Sequence, residues 1–317
     1  MNEFLITEDF PENEAEFGRR FSDERACREY LFKCRWPDGF VCPKCGCGKY
    51  WQTAKGLYMC YRCESQHSLT AGTIMHGTRW PLRAWFKAMW WFTTRKSGVN
   101  AVNLQDLLGF GSYNTAWSWL HKLRSCTIRY NREKLSGNIE ADEFYLGGKA
   151  TGKRGRGARG KFAVAAAVER KGKKLGRIRL QVIEDCSGSE LESFIQANVT
   201  AGSRISTDGW KGYNAIGDLG YGHKKILQTK TADKESVLPG VHLVASLIKR
   251  LILGTFQGRL EGRYLQHYLN EYVFRFNRRN TKSVGKRFLR MVQQAVATKP
   301  KSHKRQSLGS ASLLLAN

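Results

Sequence analysis

The chain has 317 residues, 41% of them hydrophobic, and a formal charge of +26. That length accommodates two or three domains with cores of their own, and the charge favours a polyanionic partner. No apolar run approaches the roughly 20 residues that span a bilayer, so no membrane partner is expected, although ribosomal or membrane-surface binding would leave the same charge.

The start, Met1-Asn2-Glu3-Phe4, has no basic n-region and apolar stretch, so it does not read as a secretory signal. The nine cysteines are therefore expected in a reducing, cytoplasmic setting, as metal ligands or thiols. Residues 1–30 hold nine acids against four Lys/Arg, which leaves +31 on the remainder.

Residues 1–35 read as a helical lead-in, with Phe17, Phe21, Cys27, Tyr30, Leu31 and Phe32 available for one face. Residues 36–78 read as a zinc ribbon. Cys42-Pro-Lys-Cys45 and Cys60-Tyr-Arg-Cys63 give the spacing C-x₂-C-x₁₄-C-x₂-C, and four thiolates in two such knuckles close a tetrahedral Zn²⁺ site. Gly46 permits the tight turn after the second sulfur. Cys47 competes for that register, but the x₂ spacing favours Cys45. A closed four-sulfur site has no open position, so it is expected to be structural.

Residues 79–130 read as helices, the first turn set by Pro81 and followed by Leu82, Trp85, Phe86, Met89, Trp90 and Phe92 at helical spacing. Next come Ala101–Leu108, the glycine-bearing turn 109–112, and Tyr113–Arg124, which together predict a helix-turn-helix. The second helix is expected to bury Ala116, Trp117, Leu120 and Leu123. It would then offer Asn114, Thr115 and Lys122 to DNA, with Tyr113, Ser118, His121 and Arg124 alongside. A plain helical hairpin would give the same pattern.

Residues 137–280 predict an α/β domain, with strands at 139–146, 162–169, 177–183 and 204–207 and a helix at 189–198. Three strands, a helix, a strand and further helices is the opening order of a ribonuclease-H-like sheet. That order puts Asp142 on the first, central strand and Asp208 at the end of the fourth, which lies beside it. Two converging carboxylates can hold Mg²⁺ or Mn²⁺ for in-line attack on a phosphodiester. Between the first two strands, residues 149–161 carry six cations and four glycines with no acid. Lys153, Arg154, Arg156 and Arg159 of this loop are expected to follow a phosphate backbone, unless the loop is merely solvated. Farther on, Val241–Leu253 is apolar on one side, and His242 and Lys249, seven residues apart, share a face. Leu265–Phe276 carries a second apolar stripe with a basic C-terminus. Residues 281–317, with Lys299, Lys301, Lys304 and Arg305, read as a basic tail.

Over residues 15–280 the chain resembles the zinc-ribbon group of bacterial insertion-sequence transposases of the acidic-triad (DDE) type. The resemblance rests on Arg35-Trp-Pro-Asp-Gly-Phe-Val-Cys-Pro-Lys-Cys-Gly46, Thr70-Ala-Gly-Thr-Ile-Met75, Thr115-Ala-Trp117 and Ala141-Asp-Glu143 with Gly147-Gly148. It also rests on Thr207-Asp-Gly-Trp-Lys-Gly-Tyr213, Leu247-Ile-Lys-Arg250 with Leu253-Gly-Thr255, and the run Tyr268–Arg279. It implies a zinc ribbon and helix-turn-helix that bind the element's ends, and a ribonuclease-H-like catalytic domain that cuts there and joins the freed 3′-hydroxyl to target DNA. It further implies double-stranded DNA as partner, a homodimer or higher oligomer when two ends are synapsed, and a bacterial, nucleoid-associated location. In many relatives a glutamate stands seven residues before the lysine matched by Lys249. Here that position is His242, which the resemblance makes the third ligand or positioner, with Glu235, Glu261 and Glu271 as other possible third acids. Imidazole suits Mn²⁺ better than Mg²⁺. Lys249 is expected to meet phosphate near the scissile bond. The alternatives are a catalytically silent, transposase-derived DNA-binding protein, which His242 favours, and a metal-dependent nuclease without strand transfer.

Overall fold

The structure, a computed structural model, describes residues 9–129, 131–147, 160–227, 238–256 and 261–300. Lys153, Arg154, Arg156, Arg159, Glu235, Lys301, Lys304 and Arg305 lie outside the described residues. In chain order the first elements are α1 (Glu14–Arg20), α2 (Glu24–Arg35), β1 (Tyr50–Gln52), β2 (Tyr58–Cys60), β3 (Gln66–His67), α3 (Leu82–Thr94), α4 (Ala101–Leu108) and α5 (Tyr113–Ser125). They are followed by β4 (Asn138–Gly147), β5 (Lys161–Lys171), β6 (Lys174–Ile183), α6 (Gly188–Asn198), β7 (Arg204–Thr207), a 3₁₀ helix (Lys211–Leu219), β8 (Gly222–Lys225), α7 (Pro239–Phe256), α8 (Gly262–Asn277) and α9 (Val284–Ala297). They fall into two compact units: the chain up to Arg129 together with the stretch resuming at Asn280, and residues 131–279 between them.

In the first unit the short helices start where side chains can satisfy orphan amides. Asn13 Oδ1 accepts from Glu16 N at 2.9 Å, and Asp23 Oδ1 from Ala26 N at 2.8 Å. β1, β2 and β3 form a three-stranded antiparallel sheet. Asn100 caps α4 through Asn103 N at 2.8 Å, and Gly109 ends it in the left-handed conformation at φ 67°. The turn leads into α5, so the two helices and their junction have the predicted helix-turn-helix order.

Residues 284–297 correct the reading of 281–317 as a tail. They form α9, which closes the core of this first unit. Phe288 is fully buried, with ring centroids 5.4 Å from Phe17, 5.7 Å from Phe21, 5.6 Å from Phe86 and 5.6 Å from Trp90. The helix is strongly amphipathic, burying Phe288, Leu289, Met291, Val292 and Ala295. It needs a partner face, and that face is supplied by residues of the N-terminal stretch, from Phe17 to Trp90.

In the second unit the sheet order is β6-β5-β4-β7-β8. β4 pairs antiparallel with β5, and β5 with β6, whereas β4–β7 and β7–β8 are parallel. This is the ribonuclease-H-like order, with β4 central. β8 is an edge strand that the sequence reading did not separate from the loop after Asp208. One face packs Ile139, Ala141, Ala165, Ala167 and Ile205 against Leu191, Phe194 and Ile195 of α6 and Tyr213 and Ile216 of the 3₁₀ helix. The other packs Phe144, Leu146, Val164, Ala166 and Val168 against Val241, Val244 and Ile248 of α7 and Leu265 and Leu269 of α8. Among the described helices α7 alone has the length and composition to cross a membrane, but it lays this apolar stripe on the sheet.

Candidate metal centres and nucleic-acid interface

The ribbon sulfurs converge. Cys42 Sγ lies 3.7 Å from Cys63 Sγ, Cys45 Sγ lies 3.5 Å from Cys60 Sγ, and all four fall within 4.8 Å of one another. A tetrahedron with Zn–S bonds of about 2.3 Å has S···S edges of about 3.8 Å, so the four thiols fit a structural Zn²⁺. The first knuckle turns through Gly46 at φ 72° and the second through Glu64 at φ 51°, a left-handed conformation that few side chains adopt. Ser65 Oγ is 3.0 Å from Cys63 Sγ and 2.8 Å from His67 Nε2, and that imidazole nitrogen is 3.4 Å from Cys42 Sγ. The Ser65 hydroxyl holds the Cys63 thiol below its ordinary value. Ser65 and His67 thus support the sulfurs from behind, a role that cysteine spacing alone does not reveal. Cys47 stands outside this set; its sulfur turns to the Lys49 carbonyl.

The second candidate centre grows from the register of β4. Asn138, Ile139 and Glu140 pair with Arg204, Ile205 and Ser206 of β7. The pairing ends there, and Asp208 is the residue that follows β7. Side chains alternate faces along a strand. Ile139 and Ala141 pack against α6 and the 3₁₀ helix, so Glu140 and Asp142 project on the α7 side. Each aspartate is oriented by its own turn: Asp142 Oδ1 accepts from Glu143 N at 2.9 Å, and Asp208 Oδ1 from Trp210 N at 2.9 Å. On α7, His242 Nε2 lies 3.4 Å from Asp142 Oδ2. Asp142, Glu143, Val241, His242, Ser246 and Lys249 are among the residues that line an open groove of about 350 Å³. His242 and Lys249 do share the groove face, and both are exposed.

Among the described residues, the four cysteines are the only set of three or more metal-ligating side chains whose ligand atoms all lie within 4.8 Å. Asp142, Asp208 and His242 offer two carboxylates and an imidazole, donors that a divalent cation such as Mg²⁺ or Mn²⁺ can take. Glu271 is not at this groove: it is buried on α8 and bonded by Arg275 at 2.9 Å. Glu261 pairs with Arg263 at the exposed start of the same helix.

Support comes from the opposite face. Glu143, the next residue on β4, accepts from the Tyr213 hydroxyl at 3.0 Å. Burial first, and then the carboxylates of Glu143, Asp142 and Asp208, push the Tyr213 phenol well above its ordinary value. The phenol therefore stays a proton donor beneath the two aspartates. Sequence reading missed this tie, and nothing in the local pattern of Tyr213 announces it.

The helix-turn-helix residues divide. Asn114 is exposed and Thr115 half-buried at the start of α5. Lys122 is not a free cation: its ammonium sits 5.7 Å from the Trp85 ring centroid, and burial lowers its pKa. His121 and Arg124 are buried as well, and Arg124 donates to the Val99 carbonyl at 3.3 Å. The expected buried face was rotated. Trp119, stacked on Trp85 at 3.6 Å, takes the core position assigned to Trp117.

Residues 134–277 match the ISXO2-like transposase domain, and residues 22–66 the transposase zinc-ribbon domain. No curated protein matches the chain. Among solved structures, a chain in the cryo-EM structure of the simian T-cell lymphotropic virus intasome in complex with PP2A regulatory subunit B56 gamma aligns at 15% identity and a TM-score of 0.30, over 54% of this chain and 63% of that one.

Proposed function

The chain belongs to the insertion-sequence transposases with an ISXO2-like catalytic domain and a zinc ribbon, and on that premise we propose that it binds the terminal repeats of its element, cleaves DNA at the ends and joins the 3′-hydroxyl to target DNA. The observation that supports this reading is the 3.4 Å approach of His242 Nε2 to the Asp142 carboxylate on β4, with Asp208 directly following the last residue of the neighbouring parallel strand β7. Asp142 and Asp208 would hold Mg²⁺ or Mn²⁺, and His242 would complete or position the set. Bound there, such ions acidify the attacking water or 3′-hydroxyl and stabilise the leaving oxygen.

The chain's own residues do the rest. The attacking oxygen forms a new P–O bond in line as the old P–O bond breaks, so the phosphate must be held still. Lys249, which lines the groove and is exposed, would receive a non-bridging phosphate oxygen. Asn114 and Thr115 at the start of α5 would read bases, and on their charge alone Lys153, Arg154, Arg156 and Arg159 would follow the backbone. Synapsis of two ends calls for a dimer or higher oligomer working on nucleoid DNA.

His242 in place of a carboxylate favours a second reading, a silent DNA-binding descendant. One experiment separates the readings. The protein is incubated with DNA carrying candidate terminal repeats and either Mg²⁺ or Mn²⁺, beside Asp142→Asn and Asp208→Asn. Strand-transfer products from the unsubstituted chain alone support the transposase. Cut but unjoined ends indicate a nuclease. Binding without cleavage in both metals indicates the silent protein.

A further inference from the structure

Asp142 and His242 come from different elements, so their 3.4 Å approach depends on what fixes the start of α7 against β4. Glu140 stands two residues before Asp142, on the same sheet face, and is buried. Its two oxygens have separate tasks. Oε2 accepts from Gly240 N at 2.6 Å and Val241 N at 3.1 Å, the first amides of α7. Oε1 faces Arg170 Nε on β5 at 3.3 Å. A carboxylate at a helix N-terminus is favoured by both the unpaired amides and the helix dipole. A side chain at Gly240 would force that carboxylate to shift. A Cβ at Gly240 would lie 2.7 Å from Glu140 Oε2, 3.0 Å from Leu175 Cδ2 and 3.1 Å from Arg170 Nη1. His242 follows Gly240 by two residues.

We propose that Glu140 is the positioning residue of the acidic groove: by gripping the first amides of α7 it sets the His242 imidazole against Asp142, and thereby sets the affinity of the site for a divalent cation. The proposal rests on the reading of Asp142, Asp208 and His242 as the cation's donors. Glu140 itself need not touch the ion. It acts as the orienting partners behind metal ligands act, whose removal typically weakens affinity about 10–100-fold.

The test measures Mn²⁺ affinity by electron paramagnetic resonance on the full-length, zinc-loaded protein. The variants are Gly240→Ala, Glu140→Gln, His242→Ala, the double variant His242→Ala/Gly240→Ala, and Asp142→Asn. Gly240→Ala displaces the carboxylate from the amides, and Glu140→Gln keeps the shape but removes the charge. Each is expected to weaken Mn²⁺ binding about 10-fold at unchanged zinc content. In the His242→Ala background, Gly240→Ala should add nothing, because the grip it disturbs acts through a side chain already gone. If Gly240→Ala costs the same with and without His242, or lowers only the melting temperature, Glu140 is a structural cap and the proposal fails. If Asp142→Asn leaves Mn²⁺ affinity intact, the underlying metal reading fails instead, whatever the other variants do.

Discussion

Phe288→Ala tests whether the C-terminal helix belongs to the N-terminal core. Phe288 is fully buried among Phe17, Phe21, Phe86 and Trp90, with centroids between 5.4 and 5.7 Å. Truncating a core phenylalanine typically costs about 3–5 kcal/mol, through forfeited transfer energy and an incompletely collapsed cavity. Four rings meet here, and each edge or tilted aromatic pairing adds to area burial, so the upper part of that range is expected. For a unit of this size, that destabilisation lowers the melting temperature by roughly 10 °C. The assay follows from where the indoles lie. Of the nine tryptophans, only Trp210 is in the second unit, so fluorescence reports almost wholly on the first. The tryptophan transition should move down while Mn²⁺ binding at the acidic groove, measured below that transition, is kept. A chain ended at residue 283 should lose the same transition. An unmoved tryptophan transition in either protein would refute the placement of α9.

Three further outcomes are expected. Elemental analysis should give about one zinc per chain, and Cys60→Ser should lose both the zinc and the ribbon fold, as metal binding is folding free energy in so small a module. Asp142→Asn and Asp208→Asn should abolish cleavage but retain DNA binding in a gel-shift assay, whereas His242→Ala should cost less and His242→Glu should shift the preference from Mn²⁺ towards Mg²⁺ in a cleavage assay with both metals. Neutralising Lys153, Arg154, Arg156 and Arg159 should weaken binding to all sequences and flatten the slope of log affinity against log salt by about 0.9 for each phosphate no longer neutralised, while Asn114→Ala should change preference among terminal repeats with the salt slope kept.

The legible parts of this chain were those fixed by short-range geometry. The x₂ spacing of Cys42/Cys45 and Cys60/Cys63 leaves a knuckle little choice, and the sulfurs do converge. The strand–helix order of residues 139–207 predicted that the strand holding Asp142 and the strand preceding Asp208 are neighbours, and β4 and β7 do pair in parallel. What failed depended on rotation or on distant partners. α5 offers Trp117 and Trp119, two indoles on different sides of one helix, and periodicity alone does not choose between them. Choosing Trp117 turned Lys122 outward, when in fact it lies over Trp85. α9 has a clear amphipathic stripe, but its basic flanks gave it the look of a tail, and its partner face lies near the other end of the chain.

The acidic run Glu140-Ala-Asp-Glu143 shows why composition alone undercounts a site. Read as sequence, it is three carboxylates in four residues, with Asp142 singled out by the strand order and its pairing with Asp208. The two-residue period of the strand gives them three separate tasks. Asp142 faces the groove. Glu140, on the same face one pleat earlier, reaches the amides that begin α7. Glu143 accepts from the Tyr213 hydroxyl. If Asp142 serves phosphoryl transfer as proposed, its carboxylate needs both neighbours fixed, since a shift of about 1 Å at a reacting centre can cost on the order of 100-fold in rate. The sheet supplies that rigidity along β4. The helix that carries His242 is tied to the same strand, because Glu140 accepts from its first amides. A Cβ at Gly240 would crowd that carboxylate, so the separation of Asp142 and His242 is expected to depend on residue 240 as well as on the acids.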